Sequence, residues 1–229
     1  DPLPQIVEIA DKHGMWVHVD AAYAGAAAIL PEHKQILAGV ERAHSLVFNP
    51  HKWLLTPIDL SAFYTRRPDI LRRAFSLTPE YLKTQEDPRA HNLMDYGVPL
   101  GHRFRALKLW FVLRYFGRER IEAMLRSHIE WAQKFAALVD SDPKFERVAP
   151  VPFSVVCFRY RGHPESAPER VDAQNRAIME RVNASGRVFI SGTVLNNRQV
   201  IRLAIGNLAT TWRDLEEAWE LLQKAAQEL

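Results

Sequence analysis

One lysine, set in a tight turn between two apolar segments, constrains this chain more than any other feature. Lys52 lies in the hexapeptide Phe48-Asn49-Pro50-His51-Lys52-Trp53, between the apolar run 45–47 and Leu54-Leu55. Lysine is rarely buried without a partner, but where it is desolvated its pKa falls and its amine becomes a nucleophile able to form a Schiff base. Pro50 would fix the turn, His51 would supply a titratable neighbour, and Trp53 would supply a large face that excludes water. The pattern favours a functional lysine over an ordinary exposed one.

A second constraint lies upstream of the lysine. Residues 16–19 are predicted to form a short strand that ends at Asp20, and a run of small residues follows at once. Asp20 would then stand at the carboxyl end of a buried strand, where ligands bind in open α/β sheets. The interval to Lys52 has room for a strand, a helix and a second strand. If the two strands are parallel neighbours, about 4.8 Å apart, Asp20 and Lys52 converge on one crevice. A carboxylate opposite a Schiff-base lysine is what pyridoxal phosphate needs, because the carboxylate keeps the pyridine nitrogen protonated.

The residues around these two positions resemble those of one enzyme family. The segments HVDAAYAG (18–25) and FNPHKWLL (48–55) resemble the pyridoxal-phosphate-dependent group II decarboxylases, and most of all their aromatic-L-amino-acid branch. The similarity continues through residues 78–83, 99–101 and 103–108. Enzymes of this family are about twice as long, and the resemblance places this chain in their carboxy-terminal half.

The resemblance also implies a fold and a division into domains. The expected class is α/β, with the aspartate-aminotransferase-like architecture of fold type I. Residues 1–98 would form the carboxy-terminal part of the large, cofactor-binding domain, and residues 99–229 a small α+β domain. The stretch 76–98 has no regular pattern, and an irregular stretch of this length in a compact domain is usually functional or disordered. We interpret it as a mobile catalytic loop.

Apolar periodicity predicts the remaining elements. Helices are predicted over residues 2–13, 68–75, 101–117, 119–139, 170–184 and 214–226. Strands are predicted over residues 15–19, 60–65, 153–160, 188–195 and 200–205. The 101–117 helix has an apolar face that includes Phe104, Trp110 and Phe111, and we interpret this face as core. Cys157 lies in an apolar run and is interpreted as a packed core residue rather than a nucleophile.

The resemblance assigns a cofactor site for pyridoxal 5′-phosphate. It makes Lys52 the Schiff-base lysine and Asp20 the partner of the pyridinium nitrogen. It places Asn49 and His51 near the phosphate or the substrate, and Ala22 could touch the face of the ring. No metal ion is expected in this site.

The resemblance also assigns the chemistry. The expected reaction is decarboxylation of an amino acid, with an aromatic L-amino acid as the favoured substrate and with Lys52 and His51 among the catalytic residues. Tyr81 matches a tyrosine on a mobile loop that closes over the substrate, and it is the expected proton donor. The sequence does not choose among phenylalanine, tyrosine, tryptophan, dihydroxyphenylalanine and histidine.

Two alternatives remain open. One is an aromatic aldehyde synthase, although in that group the loop tyrosine is typically phenylalanine, so Tyr81 favours the decarboxylase. The other is a catalytically incomplete polypeptide, because the family's ring-stacking histidine and most of its phosphate-binding residues lie upstream of the matched region. The sequence contains no glycine-rich phosphate cradle that would replace them.

Composition limits the possible partners and location. The 229 residues carry a formal net charge of +3, and the basic residues are scattered rather than arranged in a stripe with aromatic residues, so we expect no nucleic-acid partner. No apolar stretch approaches the ~20 residues of a membrane span. A single cysteine and the lack of a signal peptide suit a cytoplasmic enzyme. The resemblance implies a homodimer with the active site at its interface.

Overall fold

The segments that carry Asp20 and Lys52 lead out of neighbouring strands. In the computed structural model, which describes residues 1–77 and 91–229, β1 (His18–Asp20) and β2 (Ser45–Phe48) pair in parallel. Asp20 lies opposite Val47 in this register. β3 (Ala62–Thr65) pairs with β2 in the antiparallel direction, so the strand order is β1-β2-β3. Because β1 and β2 are parallel, the chain leaves both strands at the same edge of the sheet, which confirms the predicted arrangement.

The connection between β1 and β2 is less regular than the predicted helix. It consists of three 3₁₀ helices, Ala24–Ile29, Pro31–Leu37 and Val40–Arg42. Gly39 has a φ of 88°, and a Cβ added there would lie 3.0 Å from the backbone nitrogen of Pro4. This left-handed residue and the proline at position 31 divide the connection into pieces that are too short for an α-helix.

Helix α1 (Leu3–Lys12) determines which side of β1 is buried. Three of its side chains lie one or two turns apart and are buried, namely Leu3, Val7 and Ala10. They pack in one cluster with buried residues of the sheet and its connections, namely Val17, Val19, Ala21 and Ala43. Because side chains alternate along a strand, burial of Val19 leaves His18 and Asp20 on the opposite, exposed face.

The other elements of the first compact unit, Asp1–Arg118, follow β3. Helix α2 (Pro68–Phe75) has the predicted bounds, and a 3₁₀ helix covers Leu93–Tyr96. Helix α3 (Arg105–Ser141) begins in this unit, and its residues from 119 onward belong to the second unit. It leaves helical geometry at Gly117, where φ is 67° and ψ is 172°, and this confirms the predicted end of a helix there. Within residues 1–77 and 91–229, no helix is both long enough and apolar enough to cross a membrane.

The aromatic face at the beginning of α3 contradicts its interpretation as core. Phe104 is 75% exposed, Trp110 54% and Phe111 57%. Leu107 and Tyr115 on the same face are exposed as well. Periodicity identifies an apolar face but carries no information on what covers it, and in the described part of this chain the face is open to solvent.

The second compact unit, Glu119–Leu229, is an α+β structure. Its four-stranded antiparallel sheet has the order β4-β5-β7-β6, with β4 (Phe145–Arg147), β5 (Val155–Tyr160), β6 (Ser191–Leu195) and β7 (Arg198–Ala204). Helices α4 (Pro168–Ala184) and α5 (Trp212–Gln227) complete the unit. Strand β4 was not predicted from the sequence, because three residues are too few to show an alternating pattern. The sequence predicted a domain boundary at residue 99, whereas the two compact units divide after residue 118. These are different divisions of the chain, so the domain assignment stays a prediction.

Aromatic side chains form the centre of the second unit. The ring centroid of Trp219 lies 5.0 Å from that of Phe145 and 5.6 Å from that of Phe135, and Phe158 belongs to the same cluster. Cys157 on β5 is partly buried, and burial raises the pKa of its thiol. A thiol with a raised pKa is a poor nucleophile, which agrees with the interpretation of Cys157 as a packing residue.

Asn175 and His128 are buried polar side chains of this unit. Asn175 is fully buried; its Nδ2 donates to the carbonyl oxygens of Tyr160 (3.0 Å) and Val171 (2.8 Å), and its Oδ1 accepts the N–H of Tyr160 (2.8 Å). His128 on α3 is 1% exposed, and burial lowers the pKa of its imidazole. Asn175 therefore ties α4 to β5, and burial favours the neutral form of the His128 imidazole.

Candidate active site

Asp20 ends β1, and the turn that follows holds its carboxylate. The N–H of Ala22 donates to Asp20 Oδ1 at 3.0 Å, which is the local arrangement of an Asx turn. The side chain is exposed and makes no ion pair within the described residues. The backbone thus orients one carboxylate oxygen, while no cation of the described chain neutralises the charge.

Lys52 lies in a turn whose backbone is closed by hydrogen bonds. Its N–H donates to the carbonyl oxygen of Asn49 at 2.9 Å, and the N–H of Thr56 donates to that of Pro50 at 3.2 Å. Pro50 and Thr56 are buried, whereas the Lys52 side chain is exposed and has no ion-pair partner in the described ranges. The desolvation that the sequence suggested for this lysine is not present within residues 1–77 and 91–229. The constrained turn is present, but nothing in the described chain covers the amine.

Two backbone hydrogen bonds connect the Asp20 segment with the Lys52 segment. The N–H of Ala21 donates to the carbonyl oxygen of Val47 at 2.9 Å, and the N–H of Asn49 donates to that of Ala22 at 3.1 Å. These bonds continue the β1–β2 pairing beyond the strands. The structure therefore brings Asp20, Ala22, Asn49 and the Lys52 turn together at one edge of the sheet.

The side chain of Asn49 has an unsatisfied atom. Its Oδ1 is buried and has no hydrogen-bond partner among the residues that the structure describes. Most buried polar atoms in proteins are hydrogen-bonded, and an exception calls for a bound group or water. The Oδ1 atom of Asn49 is therefore available to a ligand that donates a hydrogen bond.

His51 is oriented by the far end of the same loop. Its Nδ1 accepts the N–H of Leu60 at 3.0 Å, and its own backbone N–H donates to the carbonyl oxygen of Leu60 at 3.4 Å. Because Nδ1 is an acceptor, the neutral ring carries its proton on Nε2. Across residues 1–77 and 91–229, no group of three or more His, Cys, Asp or Glu side chains could hold a metal ion.

Trp53 is fully buried and stacks on Tyr23, which was not among the predicted site residues. The rings of Tyr23 and Trp53 are parallel, with an interplanar angle of 0° and centroids 5.0 Å apart. The contact joins the residue after Lys52 to the segment after Asp20. An aromatic residue in each of the two motifs was the available signal, but sequence alone does not show that the two rings meet.

An ion pair closes the far side of the Lys52 loop. Arg105, at the start of α3, places its Nε and one terminal nitrogen 3.1 Å from Asp59 Oδ2. Hydrogen bonding to the Arg105 guanidinium holds the pKa of the Asp59 carboxyl below its usual value. The pair is exposed to solvent, so it contributes orientation rather than much stability.

Tyr81, the predicted proton donor, lies in residues 78–90, outside the described residues, so its predicted role stays a prediction.

Asp95 connects described residues that precede and follow this segment in the sequence. Asp95 is 5% exposed, accepts a hydrogen bond from Ser76 Oγ to Oδ1 at 3.2 Å, and lies 3.5 Å from a terminal nitrogen of Arg72. One buried carboxylate thus binds both α2 and the residue that follows it.

Curated relatives and a solved structure match 99–100% of this chain. Tyrosine decarboxylase 4 of Petroselinum crispum is 44% identical over 100% of this chain and 46% of its own length. Phenylacetaldehyde synthase of Arabidopsis thaliana is 43% identical over 99% of this chain and 46% of its own length. The crystal structure of Oryza sativa TDC with PLP and tryptamine superimposes with a TM-score of 0.91 and 39% identity, over 100% of this chain and 48% of that one.

These matches show which part of its relatives the chain covers and to which family it is similar. The chain spans about half the length of the curated relatives it matches, as the shares of 46% for the first two show. Residues 1–161, which include both motif segments, match the family described as the pyridoxal-dependent decarboxylase conserved domain. The solved relatives confirm the predicted class, α/β of fold type I. The chain therefore belongs to the pyridoxal-dependent decarboxylase family.

Proposed function

We propose that this chain is part of a pyridoxal-phosphate-dependent carboxy-lyase that decarboxylates an aromatic L-amino acid. The observation that carries the proposal is that the segments carrying Asp20 and Lys52 lie at one edge of a parallel strand pair and are joined to each other by backbone hydrogen bonds of 2.9 and 3.1 Å. Neither side chain has an ion-pair partner in the described chain, so both charges are available to a ligand.

The groups present fit pyridoxal 5′-phosphate. The cofactor has a pyridine nitrogen and an aldehyde on opposite sides of one ring, and a carboxylate and a primary amine are the complementary groups. Asn49 adds a buried amide end without a partner among the described residues, which is the kind of atom that a bound polar ligand satisfies. Ala22, a small residue two positions after Asp20, leaves room for a flat ring.

Each residue has a defined task in this proposal. Lys52 would hold the cofactor through its amine, and Asp20 would hold the ring nitrogen through a charge-assisted hydrogen bond. Asn49 and His51 would contact the phosphate or the substrate, His51 through Nε2, because its Nδ1 is bound to Leu60. The bound cofactor supplies an electron-withdrawing ring that takes up the electrons left when the substrate loses carbon dioxide.

Tyr81 is proposed as the proton donor that completes amine formation. A phenol has both the acidity and the reach for this step if the chain brings it to the substrate carbon. The nature of the substrate is supported by the names of the relatives, which include tyrosine and tryptophan decarboxylases that are 40–44% identical to this chain. We further propose a cytoplasmic homodimer with the active site at its interface, and domains at residues 1–98 and 99–229.

Two alternatives have specific support. The phenylacetaldehyde synthase of Arabidopsis thaliana is 43% identical, close to the 44% of the tyrosine decarboxylase, so overall identity does not separate the two activities. We favour the decarboxylase because position 81 is tyrosine. The chain alone would be catalytically incomplete if the phosphate and the substrate ring require residues outside its 229 positions. Its span of about half the length of its relatives supports that second alternative.

The test is to add the cofactor to the protein in the longest form that its source encodes. We expect a visible absorbance band typical of pyridoxal phosphate bound to a lysine. Borohydride reduction and peptide mapping should then place the pyridoxyl group on Lys52. Label on Lys83 or Lys108 in place of Lys52 would contradict the assignment. Product analysis with aromatic L-amino acids distinguishes amine from aldehyde, and binding of the cofactor without turnover would indicate the incomplete polypeptide.

A further inference from the structure

The stack of Tyr23 on Trp53 connects the two segments that carry Asp20 and Lys52. We propose that this stack sets the separation between the Asp20 carboxylate and the Lys52 amine, and that Tyr23 and Trp53 are positioning residues for the planar ring held between those groups. The inference rests on the proposed function, because pyridoxal phosphate is the ligand whose opposite sides the two groups would hold.

The placement of the two rings supports this role. Tyr23 follows Asp20 by three positions, and Trp53 follows Lys52 directly. The rings are parallel, with centroids 5.0 Å apart, which corresponds to the offset stacking that aromatic pairs prefer. Trp53 is fully buried, and Tyr23 is half-buried. A fully buried indole has little freedom to move, so it anchors the backbone of the residue beside it.

The backbone pairing does not fix the position of Lys52 by itself. Among the described residues, the last backbone hydrogen bond between the two segments is that of Asn49, whose N–H donates to the carbonyl oxygen of Ala22 at 3.1 Å. Beyond Asn49 the chain turns, and the N–H of Lys52 donates to the carbonyl oxygen of Asn49 within that turn at 2.9 Å. The ring contact of Trp53 with Tyr23 lies beyond this turn and connects the residue after Lys52 with the Asp20 segment. A change in the stack would therefore let the turn shift relative to Asp20.

The experiment compares Tyr23→Leu with Tyr23→Phe in the protein in the longest form that its source encodes. Leucine removes the planar ring, whereas phenylalanine keeps the ring and removes only the hydroxyl. Dissociation constants are measured for pyridoxal 5′-phosphate and for pyridoxine 5′-phosphate, which has the same ring and phosphate but no aldehyde to react with Lys52. A role in positioning predicts an effect on the first ligand, because only that ligand depends on both Asp20 and Lys52.

We expect Tyr23→Leu to raise the dissociation constant for pyridoxal 5′-phosphate by about two- to tenfold, in line with the free energy of an aromatic pair. The constant for pyridoxine 5′-phosphate should change by less than about twofold, and Tyr23→Phe should bind both ligands as the parent does. Tyr160→Leu is the matched control. Tyr160 is also a half-buried tyrosine in a ring contact, with Phe145 at 5.7 Å, but it lies in the second unit and should leave both constants unchanged.

Other outcomes overturn the inference. An equal loss of affinity for both ligands in Tyr23→Leu would indicate a general disturbance of the fold, and parental affinity for both would show that the stack is dispensable. Weak binding by Tyr23→Phe would assign the effect to the hydroxyl. If the parent binds neither ligand, the proposed function itself fails, which is a distinct result. Should circular dichroism show that Tyr23→Leu is unfolded, Tyr23→Met replaces it, since methionine fills similar space without a ring.

Discussion

Replacing Asp20 with asparagine isolates the charge of the proposed ring partner. Asparagine has nearly the same shape as aspartate and keeps an oxygen that accepts the N–H of Ala22, now bonded to Asp20 Oδ1 at 3.0 Å. Asp20 has no ion-pair partner in the described chain, so the substitution leaves no protein cation unpaired. The turn after β1 should therefore survive, and the variant should fold and bind the cofactor. What it loses is the negative charge that keeps the pyridine nitrogen protonated.

The expected loss follows from the strength of one hydrogen bond. A hydrogen bond to a charged group contributes about 1.5–3 kcal/mol, roughly twice a neutral one. If that interaction is made fully in the transition state, its loss lowers the rate of decarboxylation by about 10- to 150-fold. Because the variant keeps the acceptor and the shape, the Michaelis constant for the amino acid should change much less than the turnover number.

The assay is the initial rate of amine formation with saturating cofactor, together with the visible absorbance of the bound cofactor. Asp69→Asn is the matched control, because Asp69 is also exposed and pairs with Arg67 at 2.9 Å, but lies in α2 and outside the site. Its turnover should equal that of the parent. Turnover close to the parental value in Asp20→Asn, with the cofactor bound, would refute the assignment of Asp20 as the ring partner.

Three further predictions concern the donor, pH and the second unit. Tyr81→Phe should lower amine formation and raise aldehyde, ammonia and peroxide, with little change in substrate binding, and parental amine output without peroxide would remove the donor role. Burial lowers the pKa of His128, so the unfolded chain binds this proton more readily than the folded chain as the pH falls below about 6.5. The midpoint temperature of thermal unfolding should therefore decrease over that pH range, and the decrease should be smaller in His128→Gln. Asn175→Ala leaves the N–H and carbonyl of Tyr160 without this partner and should lower the free energy of unfolding in urea by about 2–4 kcal/mol. The exposed neighbour is the control, because Arg176→Ala should lower it by less than about 0.5 kcal/mol.

Much of the site could be predicted from local sequence. The apolar run that ends at Asp20 and the one before Lys52 each predicted a strand. The interval between them had room for the crossover that parallel neighbours need, and the register of Asp20 opposite Val47 shows that the strands are parallel neighbours. The bounds of α2 and the break at Gly117 were predictable for the same reason. Each depends on periodicity, proline or glycine, whose effects act over a few residues and are written in the sequence itself.

Other features depended on which residues meet after the chain folds. The sequence suggested that the aromatic face of α3 was buried and that Lys52 was desolvated, yet both are exposed in the described chain. It gave no indication that Tyr23 would stack on Trp53, or that Asp95 would bind Ser76 and Arg72. Burial and long-range contacts are set by the packing of distant segments. A local pattern can show that a surface is apolar or that a side chain carries charge, but only the tertiary structure determines what lies against it.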